Sequence, residues 1–129
     1  MSEERIFETG AKRDNKPGRG RMDLLPWKAI IELSKHCERG AAHYGENNVR
    51  LGIPWHSLAD SGARHFAKWI TGDNDEPTHL VAACWNLMWL LEEEITRTDL
   101  CDIPAVRQAW VEAANYNLEH HGEVSTDTL

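Results

Sequence analysis

Three stretches of this chain repeat apolar residues at helical spacing, and each sets a polar group on its apolar side. The 3.6-residue period predicts a helix over Pro26–Tyr44. Its inner face gathers Trp27, Ile31, Ser34 and Ala41, with Glu38 among them. A second helix is expected over Trp55–Ile70, with Leu58, Gly62, Phe66 and Trp69 on one face and His65 on that side. A third covers Pro77–Thr96, where His79, Ala83, Asn86 and Leu90 share a stripe of a mostly apolar segment. A carboxylate, two imidazoles and an amide are thereby aimed at a common interior. Burial of such groups is costly unless they are paired or hold a ligand. That makes them candidates for function.

A fourth helix starts at Asp102 and Pro104 and ends near Gly122, with Ile103, Val106, Trp110, Ala113 and Leu118 on a modest apolar side. His120 and His121 close it, where positive charge suits the helix dipole. No strand pattern and no internal repeat is visible, so the expected fold is all-α. We read a helical bundle of about four helices in a single domain over residues 1–129. Six tryptophans in four helices point to packing on other subunits as well as to an internal core.

The net charge of -7 argues against a nucleic-acid partner, which calls for a broad basic face. Three cysteines without CxxC spacing argue against a disulfide framework or a zinc site. Cys37 and Cys84 fall on apolar helix faces and read as buried free thiols. The acidic MSEERIFETG start lacks the apolar core of a signal peptide. The longest apolar stretch, Leu80–Leu91, is too short for a membrane span and contains Asn86. A cytoplasmic location is expected.

Residues 1–22 read as extended or loop, with a basic arm over 9–22. Lys12, Arg13, Lys16, Arg19 and Arg21 cluster there beside Gly10, Gly18 and Gly20. One reading is a solvated tail. The other is an anion-binding arm, because glycines admit phosphate close to the backbone and Arg offers forked donors. Asp23 is a plausible N-cap for the first helix. Asp60 and Arg64 sit one turn apart and suit a surface ion pair. Asp75 either caps the third helix or binds metal. The Glu92–Glu94 run reads as that helix leaving the core. Glu38 suits a cation ligand, a general base or a carboxylate held by Arg64, His65 or Tyr44. His65 suits a metal ligand, a phosphate donor or a core partner, and His79 opens a helix where anions are favoured. Asn86 either reads a polar ligand or bonds a neighbouring helix. A pocket with oxygen ligands and a basic lip suits a magnesium-bound phosphate ester.

Several strings carry a resemblance to a known family. They are Thr9–Arg13, Gly18–Trp27, Glu38–Ala41 with Tyr44, Gly45 and Asn48, Arg64–His65 with Trp69 and Gly72, and Asp75 with His79, Leu80 and Asn86. Together they resemble the dATP/dGTP diphosphohydrolases, MazZ-like members of the all-α MazG-type nucleotide pyrophosphatases common in phage genomes. The likeness spans about residues 9–95. It implies an oligomer, a dimer or tetramer. It implies Mg²⁺- or Mn²⁺-dependent attack of water on a purine deoxynucleoside triphosphate, giving monophosphate and pyrophosphate.

On this reading Glu38, Asp75, His65 and His79 hold the cation and do the chemistry. Lys12, Arg13, Lys16, Arg19, Arg21 and Arg64 take the triphosphate, and Asn48 and Asn86 read sugar or base. The MazG-type ExxD pair is replaced by Ala83 and Asn86, and Val49 stands after Asn48 where the motif has tryptophan. The alternative from another class is a non-catalytic nucleotide sensor or oligomeric scaffold. A His-Asp phosphohydrolase is disfavoured, since no consecutive His-Asp pair occurs.

Overall fold

The computed structural model describes residues 3–15, 17–73 and 75–120. The chain divides into two compact units, Met1–Ile31 and Glu32–Leu129. Their boundary falls inside the first long helix.

The first unit opens with a hairpin of β1 (Glu3–Ile6) and β2 (Lys12–Asn15), paired antiparallel. The absence of a strand pattern did not foretell it. Backbone bonds close the loop: Phe7 N–H donates to Ala11 O at 2.8 Å and Gly10 N–H to Phe7 O at 2.9 Å. Gly10 takes φ +90°, the left-handed position a three-residue hairpin loop needs. A 3₁₀ turn follows over Met22–Leu24. Asp23 lies in that turn and binds Arg21 with both oxygens, at 3.0 and 2.6 Å, so it does not cap the next helix. Helix α1 then runs Trp27–Tyr44.

In the second unit α1 stops at Gly45, whose φ of +95° turns the chain. A 3₁₀ turn over Asn48–Leu51 leads to α2 (Trp55–Ile70), α3 (His79–Thr96) and α4 (Pro104–Glu119). Among the described residues, four helices and one small hairpin make the fold all-α. Helix α2 ends in a Schellman closure: Gly72 sits at φ +75° and Asp73 N–H reaches back to Lys68 O at 2.9 Å.

Helices α2 and α3 pack extensively on each other. Trp55, Leu58, Ala82 and Ala83 form most of the core between them. Gly62 lets the helices close in, since a Cβ there would stand 3.3 Å from the Asn86 Cβ. Phe66 and Trp69, expected on the inner face of α2, are exposed, because the core is spent one turn earlier. Among the cysteines, Cys101 is buried, Cys37 half-buried and Cys84 exposed, all free. Glu93 is buried, while Glu92 and Glu94 are exposed. The run therefore does not leave the core: Glu93 lies seven residues after Asn86 on the same stripe. Its Oε1 accepts from Ile53 N–H at 2.9 Å and so ties down the loop before α2. No described helix is long and apolar enough to cross a membrane.

Candidate functional site

Two neighbouring features of the second unit concentrate the chemistry. The first lies where α2 ends and α3 begins. His79 is 3% exposed, and its Nδ1 stands 3.0 Å from His65 Nδ1, one imidazole from each helix. His79 Nε2 donates a hydrogen bond to Asp75 Oδ1. The other Asp75 oxygen accepts from Lys68 Nζ at 2.9 Å. Lys68, then His79, hold the Asp75 carboxyl down to about 2. Asp75 therefore does not cap α3, whose N-cap is Thr78 without a side-chain bond. Glu76 Oε1 lies 3.8 Å from His79 Nδ1. Two sets could hold a cation, His65–Glu76–His79 and Asp73–Asp75–His79, with ligand atoms within 4.8 Å of one another.

The second feature is a cavity of about 670 Å³ between the second half of α1, the α1–α2 connection and α3. Glu38, Tyr44, Asn48, Arg50, Trp85 and Trp89 are among its walls. The indoles of Trp85 and Trp89 sit 6.3 Å apart, and the Arg50 guanidinium lies 5.1 Å over Trp89. Asn47, at φ +62°, turns the chain just before Asn48, and both line the cavity.

His36 links the two features. It lines the cavity, and its ring packs 5.6 Å from Trp85. Burial first, then the charges on Arg39 and His65, push its imidazole below the ordinary value, while Glu76 pulls the other way. Arg39 Nη2 lies 3.2 Å from His36 Nδ1, which directs the Nε2 edge away from that bond.

Of the expected site residues, His65, Asp75 and His79 come together. Glu38 is exposed and belongs to neither cation set. The interior shared by Glu38 and the two histidines is therefore corrected: α1 has no buried residue, so its polar face is not forced against α2 and α3. Asn86 is buried, and its side-chain amide donates to Ala82 O of its own helix at 2.8 Å. Arg64 is exposed and pairs with Asp60 at 2.8 Å. In the first unit Lys12 and Arg13 lie on β2, with Arg13 directly across from Arg5. Arg19 is exposed, and Arg21 is taken by Asp23. Lys16 and His121 fall outside the described residues.

A family model for dATP/dGTP diphosphohydrolase, N-terminal, matches residues 9–103. The chain belongs to this family. No curated protein and no solved structure matches it. The family span takes in the hairpin's second strand, the cavity and the histidine cluster, and stops at Ile103, just before α4.

Sequence reading missed Glu76, Asp73, His36, Trp85 and Trp89 in this diphosphohydrolase family member. Two signals were present. Asp75-Glu76 precedes His79 by one helical turn, and Trp85 and Trp89 repeat at i, i+4.

Proposed function

We propose that this chain hydrolyses dATP or dGTP to the monophosphate and pyrophosphate with the help of Mg²⁺ or Mn²⁺. The observation that carries the reading is the cavity that joins Glu38 and Asn48 to two indoles and Arg50, in a chain of this family. Its volume is in the range of small-molecule sites. Indole faces accept a purine by stacking, and Arg50 and Asn48 supply polar contacts to sugar, base or phosphate. Glu38 takes the proton from the attacking water. The water oxygen bonds to the α-phosphorus as the bond to the bridging oxygen breaks, and pyrophosphate leaves.

When bound, the divalent cation supplies charge neutralisation on the phosphate oxygens. Two alternative donor sets would fit such an ion: the oxygen-richer Asp73–Asp75–His79, or His65–Glu76–His79. The first unit's basic arm would bind phosphate on its own account through Lys12, Arg13, Arg19 and Arg21. Support comes from Arg5 and Arg13, like charges placed directly across the hairpin. That arrangement is unfavourable without an anion to share. Exposed Leu80, Leu87, Leu91 and Ile95 form one stripe of α3 and support assembly with further copies of this chain. Free thiols throughout suit a reducing, cytoplasmic compartment.

Incubation of the full chain with dGTP and Mn²⁺, followed by product separation, tests the reading. The expected products are dGMP and pyrophosphate in equal amounts. Release of orthophosphate with dGDP would refute it. A rival non-catalytic sensor is favoured by Ala83 and Asn86, which leave no carboxylate on that stretch of α3. Such a sensor would be thermally stabilised by dGTP and leave it intact.

A further inference from the structure

We infer that His65 Nδ1, His79 Nδ1 and a Glu76 carboxylate oxygen form a centre for a first-row transition dication, with Asp75 acting through His79 instead of ligating. The inference rests on the proposed nucleotide reading for its catalytic meaning, but the ligand set stands or falls without nucleotide.

The spacing is that of ligand atoms about one ion. The two imidazole nitrogens are 3.0 Å apart, and Glu76 Oε1 is 3.8 Å from His79 Nδ1. Donors bonded at about 2.0–2.1 Å around a tetrahedral or octahedral dication stand roughly 3.0–3.4 Å from each other. A small movement of the exposed Glu76 side chain closes the set.

The tautomer also fits. Asp75 Oδ1 can only accept, so His79 Nε2 carries the proton and Nδ1 turns a lone pair toward His65. This is the carboxylate–histidine arrangement that orients metal-bound imidazoles. Lys68 engages the second Asp75 oxygen, so both oxygens of that residue already hold a partner. His79 is buried whereas Asp73, Asp75 and Glu76 are exposed, which gives an ion an acidic way in.

Two imidazoles select against Mg²⁺, which prefers oxygen donors and keeps its waters. They suit Zn²⁺, Co²⁺ and their neighbours, with Mn²⁺ accommodated through the carboxylate. The competing state is a single proton shared between the two rings, which would take up no metal.

Cobalt distinguishes these states. Chelator-treated full-length protein is titrated with Co²⁺ without nucleotide, and visible d–d absorption is followed. The expected result is saturable bands at one Co²⁺ per chain, kept under a large excess of Mg²⁺ and erased by Zn²⁺. Because His79 is buried, His65→Ala is the decisive variant. It should keep its far-ultraviolet circular dichroism and lose the bands. Asp75→Asn should keep the bands and stoichiometry while binding roughly 10–100-fold more weakly.

Absent bands, displacement by Mg²⁺, or a His65→Ala variant that binds like the parent would overturn the centre. Loss of all bands in Asp75→Asn would make that residue a ligand and overturn its assigned role. Turnover of dGTP in Mg²⁺ without cobalt bands would count against this centre alone. Intact bands with no turnover would count against the nucleotide reading alone.

Discussion

Helices α2 and α4 are each 16 residues long, yet they are held in opposite ways. Helix α2 buries Trp55, Leu58 and Gly62 against α3. Helix α4 buries nothing, and its chief aromatic, Trp110, is 42% exposed and meets Trp55 edge-on at 6.0 Å. An isolated helix of that length is marginal in water, so a helix is stabilised mainly by the face it buries. The titratable chemistry follows the packing. His65 and His79 face each other because α2 and α3 cannot slide without opening the Gly62 contact. A constellation held to a few tenths of an ångström needs that support. Helix α4 carries nothing comparable: His120 bonds and stacks on Tyr116 of its own last turns.

The largest test of this contrast is Leu58→Ala. Leu58 is 2% exposed at the centre of the α2–α3 contact. Loss of its side chain should destabilise the protein by about 2–5 kcal/mol, read from urea unfolding. The His65–His79 pairing should loosen with it. Trp110→Ala should cost less: it removes partial burial and an edge-to-face pair worth about 0.5–1.5 kcal/mol beyond that burial. Equal costs for the two substitutions would mean that α4 is as firmly seated as α2, and the contrast would fail.

The same contrast explains what could be read from residue order. The limits of α2 follow directly from its period, and α3 begins only two residues later than expected. Burial of His79 and Asn86 was legible because α3 is apolar enough that its polar stripe must face inward. Glu38 was not, since periodicity ranks the faces of one helix and does not say which face meets another. Glu93 hid inside an acidic run, although its spacing from Asn86 placed it on the inner stripe. The hairpin escaped notice because β1 and β2 do not alternate apolar with polar residues. Its order comes from backbone bonds and Gly10. Glu76 and the Trp85–Trp89 pair carried a spacing signal, but which groups they would meet depends on how the α2–α3 and α1–α2 connections turn, at Gly72 and Asn47.

The smallest effect concerns the seam between α4's leading loop and α2. Asp102 accepts from both the backbone N–H and the ring Nδ1 of His56, at the first turn of α2. The His56 side chain, then its backbone N–H, hold the Asp102 carboxyl below its ordinary value. A carboxylate lowered in the folded state adds stability that is fully present above its unfolded value, near pH 4, and fades as pH falls through the folded one. Stability should therefore drop on acidification from pH 5 toward pH 3. Asp23, Asp75 and Asp99 are lowered too, so the raw slope is shared. Subtraction of the Asp102→Asn profile isolates this pair. The variant should be less stable than the parent at pH 6 and approach it at pH 3. If the two urea profiles stay parallel throughout, Asp102 contributes nothing at the α2 terminus, and α4's loop is as loosely attached there as α4 is along its length.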